Sequence, residues 1–99
     1  MRLYLLVYGR ELGTRPRIKT CLNSLAEVES WRSELPNSFF LKSEASAKEL
    51  GIALKECLGV DLPRYYLVEI PTFSDHDRSW GWLVDDSWAF LGRKPKEEE

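Results

Sequence analysis

Asp75-His76-Asp77 sets the chain's only histidine between two carboxylates, on a polar stretch that reads as an exposed loop. A group that titrates near neutrality beside oxygen donors is what a general base or a metal site needs. No second histidine exists to complete such a site, and three polar residues in a row are ordinary loop composition, so a solvated loop is the expected role. No nucleophile, base and orienting group fall at spacings that would join them, and no glycine-rich phosphate loop is present. Asp85-Asp86 reads as the cap of a short last helix. No catalytic residue, metal or cofactor is assigned.

A second set of residues is electrostatic. Arg10, Arg15, Arg17 and Lys19 crowd the exit of the first predicted strand and the first turns of the helix after it, with Glu11 as a partial offset. Cations oppose the positive end of a helix, so an anion held there on first-turn N–H groups would supply the compensation. A nucleic-acid phosphate is the expected anion. Replacing Arg15 and Arg17 with alanine is then expected to weaken binding and to raise the stability of the free protein slightly. Trp31, Trp80, Trp82 and Trp88, with Tyr4, Tyr8, Phe39 and Tyr65, are the aromatics that could stack on bases if they lay on an open sheet. A core or an interface is their commoner home.

Composition limits these options. Ninety-nine residues with 43% hydrophobic and 30% charged content suit one globular domain, expected over residues 1–92, with a charged tail over 93–99. The net charge of −2 owes much to the closing Glu97-Glu98-Glu99, and without them the chain is only slightly basic, which does not by itself indicate a nucleic-acid binder. No run is long enough to span a membrane, and the first strand lacks the pattern of a secretory signal, so a cytoplasmic protein with no membrane partner is expected. Cys21 and Cys57 both fall within helical patterns, and are read as small packed hydrophobes in a reducing compartment.

The elements that must position these residues follow from periodicity. Leu3 to Tyr8 is a continuous apolar strand, read as central and covered on both faces. Thr14 can cap a helix with Pro16 in its first turn. Ile18, Leu22, Leu25 and Val28 continue at helical spacing, and the pattern either runs on to Leu35 or breaks near Ala26 and returns as a strand over 28–35. Ser24 to Glu27 even has the form of a capping box. Ser38 to Lys42 is a strand. Ser46-Ala47-Lys48-Glu49 is a capping box that opens a helix closed by Gly59. Tyr65 to Ile70 is a second apolar strand, and Ser87 to Leu91 a short helix.

This succession resembles the split βαβ arrangement (βαββαβ) of ferredoxin-like domains, an α+β fold with a four-stranded antiparallel sheet and two helices on one face, here with a short C-terminal helix added. Its two most apolar strands, 3–8 and 65–70, are expected at the centre. The opening Tyr-Leu-Leu-Val-Tyr strand, Trp31 to Leu35, Phe39 to Ser43, Ser46 to Leu50, Tyr66 to Ile70, Gly81-Trp82-Leu83 and Trp88 to Leu91 resemble the SinR-like small bacterial proteins. These are related to the CRISPR-associated endoribonuclease of the adaptation machinery. The resemblance implies that Trp31 lies on a strand hairpinned to the Phe39 strand. A homodimer is expected on separate grounds, because one layer of two helices leaves the other face of a four-stranded sheet apolar and bare. The related nucleases carry a metal-gathering aspartate at the end of the first strand, where this chain has Gly9, and glycine offers no side-chain oxygen to a hard cation. The expectation is therefore a non-catalytic homodimeric module with a nucleic-acid or protein partner. A metal-dependent endoribonuclease whose carboxylates have moved to Asp75, Asp77 or another site is the alternative.

Overall fold

Alternation along Arg2–Tyr8 (β1) decides the layering of the molecule. Tyr4, Leu6 and Tyr8 are buried on one face together with Ile18, Cys21, Leu22, Leu50, Leu54 and Leu58 from two helices, while Leu3, Leu5 and Val7 point the other way. The computed structural model describes residues 1–70 and 83–92. After β1 come a 3-10 turn (Arg10–Leu12), α1 (Arg15–Ser24), β2 (Ser30–Arg32), β3 (Ser38–Ser43), α2 (Ala47–Leu58), β4 (Tyr65–Ile70) and α3 (Asp85–Leu91). Over the described residues the chain is an α+β protein with a four-stranded antiparallel sheet and three helices, and the strand order is β2-β3-β1-β4. No helix among the described residues is long and apolar enough to cross a membrane.

The order corrects the placement of the two most apolar strands. β1 is central, but its other central neighbour is β3, and β4 lies at the edge. Leu6 pairs with Phe39 on one side and Leu67 on the other, and Tyr8 pairs with Tyr65, so β4 buries only one row of side chains. Of its remaining apolar residues, Tyr66 and Val68 stay exposed and Ile70 is half-buried.

The alternatives over residues 28–35 resolve to a strand. α1 stops at Ser24 because Leu25 turns to extended backbone while its N–H still bonds Cys21 O, and Glu29 N–H donates to Lys42 O at 2.8 Å to begin the β2–β3 ladder. Tertiary partners decide against helical periodicity here. Trp31 pairs with Leu41, meets Phe39 edge-on at 5.5 Å, and donates its indole N–H to Asn23 Oδ1. Ser24 accordingly caps nothing forward, and its hydroxyl donates back to Cys21 O.

α2 begins and ends as its sequence predicts. Ser46 Oγ accepts the Glu49 N–H and donates to Glu49 Oε1, and Gly59 takes the left-handed conformation at φ 65° with its N–H on Lys55 O. Gly51 inside the helix permits a close approach: a Cβ there would lie 3.1 Å from the Tyr65 hydroxyl, which donates to Gly51 O.

The cysteines are not the free packed thiols expected from their helical surroundings. Cys21 of α1 and Cys57 of α2 form a disulfide with Cα atoms 6.0 Å apart, 36 residues apart in sequence. Periodicity shows which face a residue shares but not which residue of another helix it meets. In the chain-entropy account, closing a loop of that size stabilises the fold by about 3–4 kcal/mol.

Replacing Ser46 with alanine is expected to cost about 1 kcal/mol through the lost cap. Gly59→Ala should cost about 1 kcal/mol through its positive φ alone, since nothing lies within 4 Å of the added methyl. Thermal unfolding should show each as a fall in Tm of roughly 4–8 °C. An unchanged Tm for both would mean that the ends of α2 contribute nothing to the cooperative unit.

Candidate interaction surface

The cationic cluster does not assemble into one site. Successive helical residues turn by about 100°, so Arg15 and Arg17 leave α1 on nearly opposite sides. The Arg15 guanidinium donates to Ser33 Oγ and lies over the Phe39 ring at 5.2 Å, while Arg17 reaches the other way to donate to Leu58 O at 2.9 Å, at the C-terminal end of α2. Lys19 lies over the Trp31 ring at 5.9 Å, and Arg10 is exposed in the 3-10 turn. Thr14 occupies the N-cap position of α1 without a side-chain cap bond. Three of the four cations therefore serve intramolecular packing, including a cation at a helix C-terminus where the dipole favours it.

The mouth of β1 holds a carboxylate after all. Gly9 has ordinary extended backbone, at φ −99°, and its N–H donates to Arg64 O. A Cβ placed on it would lie 2.7 Å from Glu11 Oε1, so the Glu11 carboxylate fills the space a side chain at position 9 would enter. No group of three or more His, Cys, Asp or Glu that could hold a metal occurs among the described residues. Asp75, His76, Asp77, Trp80 and Trp82 lie outside the described residues, as does the tail over 93–99.

Base stacking on Tyr4, Tyr8 and Phe39 is ruled out by burial, because these rings face the helices. Tyr8 stacks on Phe39 at 5.7 Å, Tyr4 donates its hydroxyl to Ala45 O, and Tyr65 is half-buried against Gly51. The Tyr4 hydroxyl, followed by the nearby Glu69, also raises the pKa of Arg2, which leaves that exposed guanidinium charged and adds no acid–base group. A shallow depression of about 380 Å³ between Ile52, Lys55, Glu56, Gly59, Val60 and Asp61 mixes one base and two acids without convergence on a point.

The open surface lies on the face of the sheet away from α1 and α2, and α3 divides it. Over β2 and β3, Arg32 Nε donates to Ser87 Oγ, Ser87 donates to Glu34 Oε1, and the Val84 N–H donates to the same oxygen at 3.0 Å. Lys42 Nζ lies 4.4 Å from the centre of the Phe90 ring, and Trp88 and Phe40 are buried. Val84, not Asp85 or Asp86, is the N-cap residue, and it makes no side-chain cap bond. The carboxylate of Glu34, 50 residues earlier, takes over that task, so the expected local cap is replaced by a tertiary one.

Over β1 and β4 the face is apolar and exposed: Val7 is 44%, Tyr66 68% and Val68 36% exposed. Val7 pairs with Tyr66 and Leu5 with Val68, and Leu5 and Ile70 are half-buried beside them, so the residues form one patch rather than scattered exceptions. The signal was present in the alternation of β4, but which row would remain bare depends on the position of α3.

In comparisons with known proteins, no family model, no curated protein and no solved structure matches the chain.

Two substitutions check this surface. Arg17→Ala should lower stability by about 0.5–1.5 kcal/mol, because Leu58 O loses its donor, and a gain in urea denaturation would show that relief of the helix dipole dominates instead. Ser87→Ala should cost about 1–3 kcal/mol, since the fully buried hydroxyl is the partner of both Arg32 and Glu34. A loss below about half a kcal/mol would mean that α3 is held by Trp88, the Val84–Glu34 bond and the Lys42–Phe90 contact without help from Ser87.

Proposed function

We propose that the protein is a non-catalytic homodimeric module of ferredoxin-like, SinR-like type, in which a second copy covers the open half of the sheet. The single observation that carries this reading is the contiguous exposed patch of Val7, Tyr66 and Val68. A two-fold contact places the same patch on both partners, so an apolar surface is self-complementary without further design. The split βαβ connection and the order β2-β3-β1-β4 support the ferredoxin-like description. The SinR-like assignment rests on the residue resemblance alone. A cytoplasmic location belongs to the same proposal and requires the Cys21–Cys57 bond to be one of two redox states of the pair.

Nucleic-acid association through Arg10, Arg15, Arg17 and Lys19 is supported by their number at the exit of β1. Arg15, Arg17 and Lys19 already meet protein groups, so a phosphate has to compete for them. A second reading, a metal-dependent endoribonuclease with a displaced site, is favoured by one observation, the Glu11 carboxylate in the space above Gly9. Labelled RNA and DNA with Mg²⁺ or Mn²⁺ separate the two readings, because cutting that Glu11→Gln abolishes establishes the enzyme.

Light scattering at micromolar concentration should return the mass of a dimer, and Tyr66→Lys with Val68→Lys should return a monomer with unchanged circular dichroism. A wild-type monomer overturns the dimer.

A further inference from the structure

The disulfide joins two sulfurs in different surroundings. Cys21 is 5% exposed, on the face of α1 that also buries Ile18 and Leu22, whereas Cys57 is exposed on the last turn of α2. The neighbours of Cys57 are polar: the Ser24 hydroxyl lies 3.7 Å from its sulfur, and Arg17 donates to the carbonyl of the next residue, Leu58. The bond is not the helices' only hold on the sheet, because Ile18, Leu22, Leu50, Leu54 and Leu58 are buried against it as well.

We propose that Cys21–Cys57 is a thiol–disulfide exchange site at which a low-molecular-weight thiol attacks the exposed sulfur of Cys57. Exchange requires access to one sulfur from the side away from the other. Cys21 is buried in the core and Cys57 is exposed at the end of α2, so Cys57 is the cysteine a dissolved thiol meets. The attacking thiolate bonds to Cys57 Sγ, the bond to Cys21 breaks, and Cys21 leaves with the electron pair and takes a proton from water. A second thiolate then attacks the small thiol's sulfur in the mixed disulfide and departs with it as the oxidised small disulfide, while Cys57 is released and protonated. Two electrons pass in all from two small thiols to the protein disulfide. Cys21 stays shielded in the core throughout, so the site opens by local chemistry rather than by unfolding, and Cys57 is the position that carries the adduct.

The test uses the full chain in native buffer with reduced glutathione, quenched by acid, alkylated with N-ethylmaleimide and mapped by mass spectrometry. The glutathione adduct should map to Cys57, with circular dichroism unchanged, and complete reduction should lower Tm by more than about 10 °C. Cys57→Ser should leave Cys21 unalkylated until denaturant is added, and Cys21→Ser given glutathione disulfide in place of reduced glutathione should hold one glutathione on Cys57 and release the other as thiol. Should either variant fail to fold, exchange on the wild-type chain decides. An adduct on Cys21, equal labelling of both cysteines, a bond that opens only in denaturant, or a pair of thiols that glutathione disulfide cannot join would each overturn the proposal.

Discussion

The row Tyr4-Leu6-Tyr8 on β1 is the constraint on which the rest of the structure depends. All three side chains are buried, and both flanking strands take their register from the same seven residues. Burying one such side chain is worth about 1.5–3 kcal/mol, more than any single cap in the molecule. Phe39 and Leu41 on one side and Tyr65 and Leu67 on the other extend the row into a surface that only a helix layer can cover, and α1 and α2 supply Ile18, Leu22, Leu50, Leu54 and Leu58 for it. β2 has no contact with this row through β1. It reaches the sheet only by pairing with β3 and by the meeting of Trp31 with Phe39.

The opposite face is organised by other forces. α3 has seven residues, too few for a helix stable by itself, and it is fixed by directed contacts: the buried Ser87 hydroxyl between Arg32 and Glu34, the Glu34 carboxylate on the Val84 N–H, and Lys42 over Phe90. Every one of these contacts spans a long stretch of sequence. They place α3 over β2 and β3, the half of the sheet that carries Arg32 and Lys42, whereas Leu5, Val7, Tyr66 and Val68 on the other half offer no such partners.

This division explains which parts were legible in the sequence. β1, β3, α2 and its Ser46–Glu49 box follow from local periodicity and turn chemistry, and the structure has them where those signals fall. The hairpin through Trp31 was open on periodicity and closed by the resemblance, because what decides it is the Leu41 partner across the ladder. The edge position of β4, the disulfide and the Glu34 cap were not legible, since each is a meeting of residues far apart in the chain. The arrangement of the cationic stretch was not legible for the same reason. Four charges close in sequence look like a cluster, but a helix sends residues two apart to opposite sides, and Phe39, Leu58 and Trp31 were waiting there.

The geometry of one helix on four strands also sets what the open half can bind. A helix with its side chains is about 10–12 Å across and strands are spaced about 4.8 Å apart, so α3 can cover two strands and leaves two. On the other pair the outward residues are Leu3, Leu5 and Val7 of β1, of which Leu3 is buried, and Tyr66, Val68 and Ile70 of β4. None is charged: Glu69, the only charged residue within β4, belongs to the opposite row with Tyr65 and Leu67. A phosphate backbone gains nothing on such a surface, because its affinity comes from cations. A second copy meets neither repulsion nor an unpaired charge to desolvate, and gains in proportion to the apolar area removed from water. The open half is therefore an apolar surface with nothing to hold a phosphate, and the cations Arg10, Arg15, Arg17 and Lys19 lie apart from it, in the 3-10 turn and along α1.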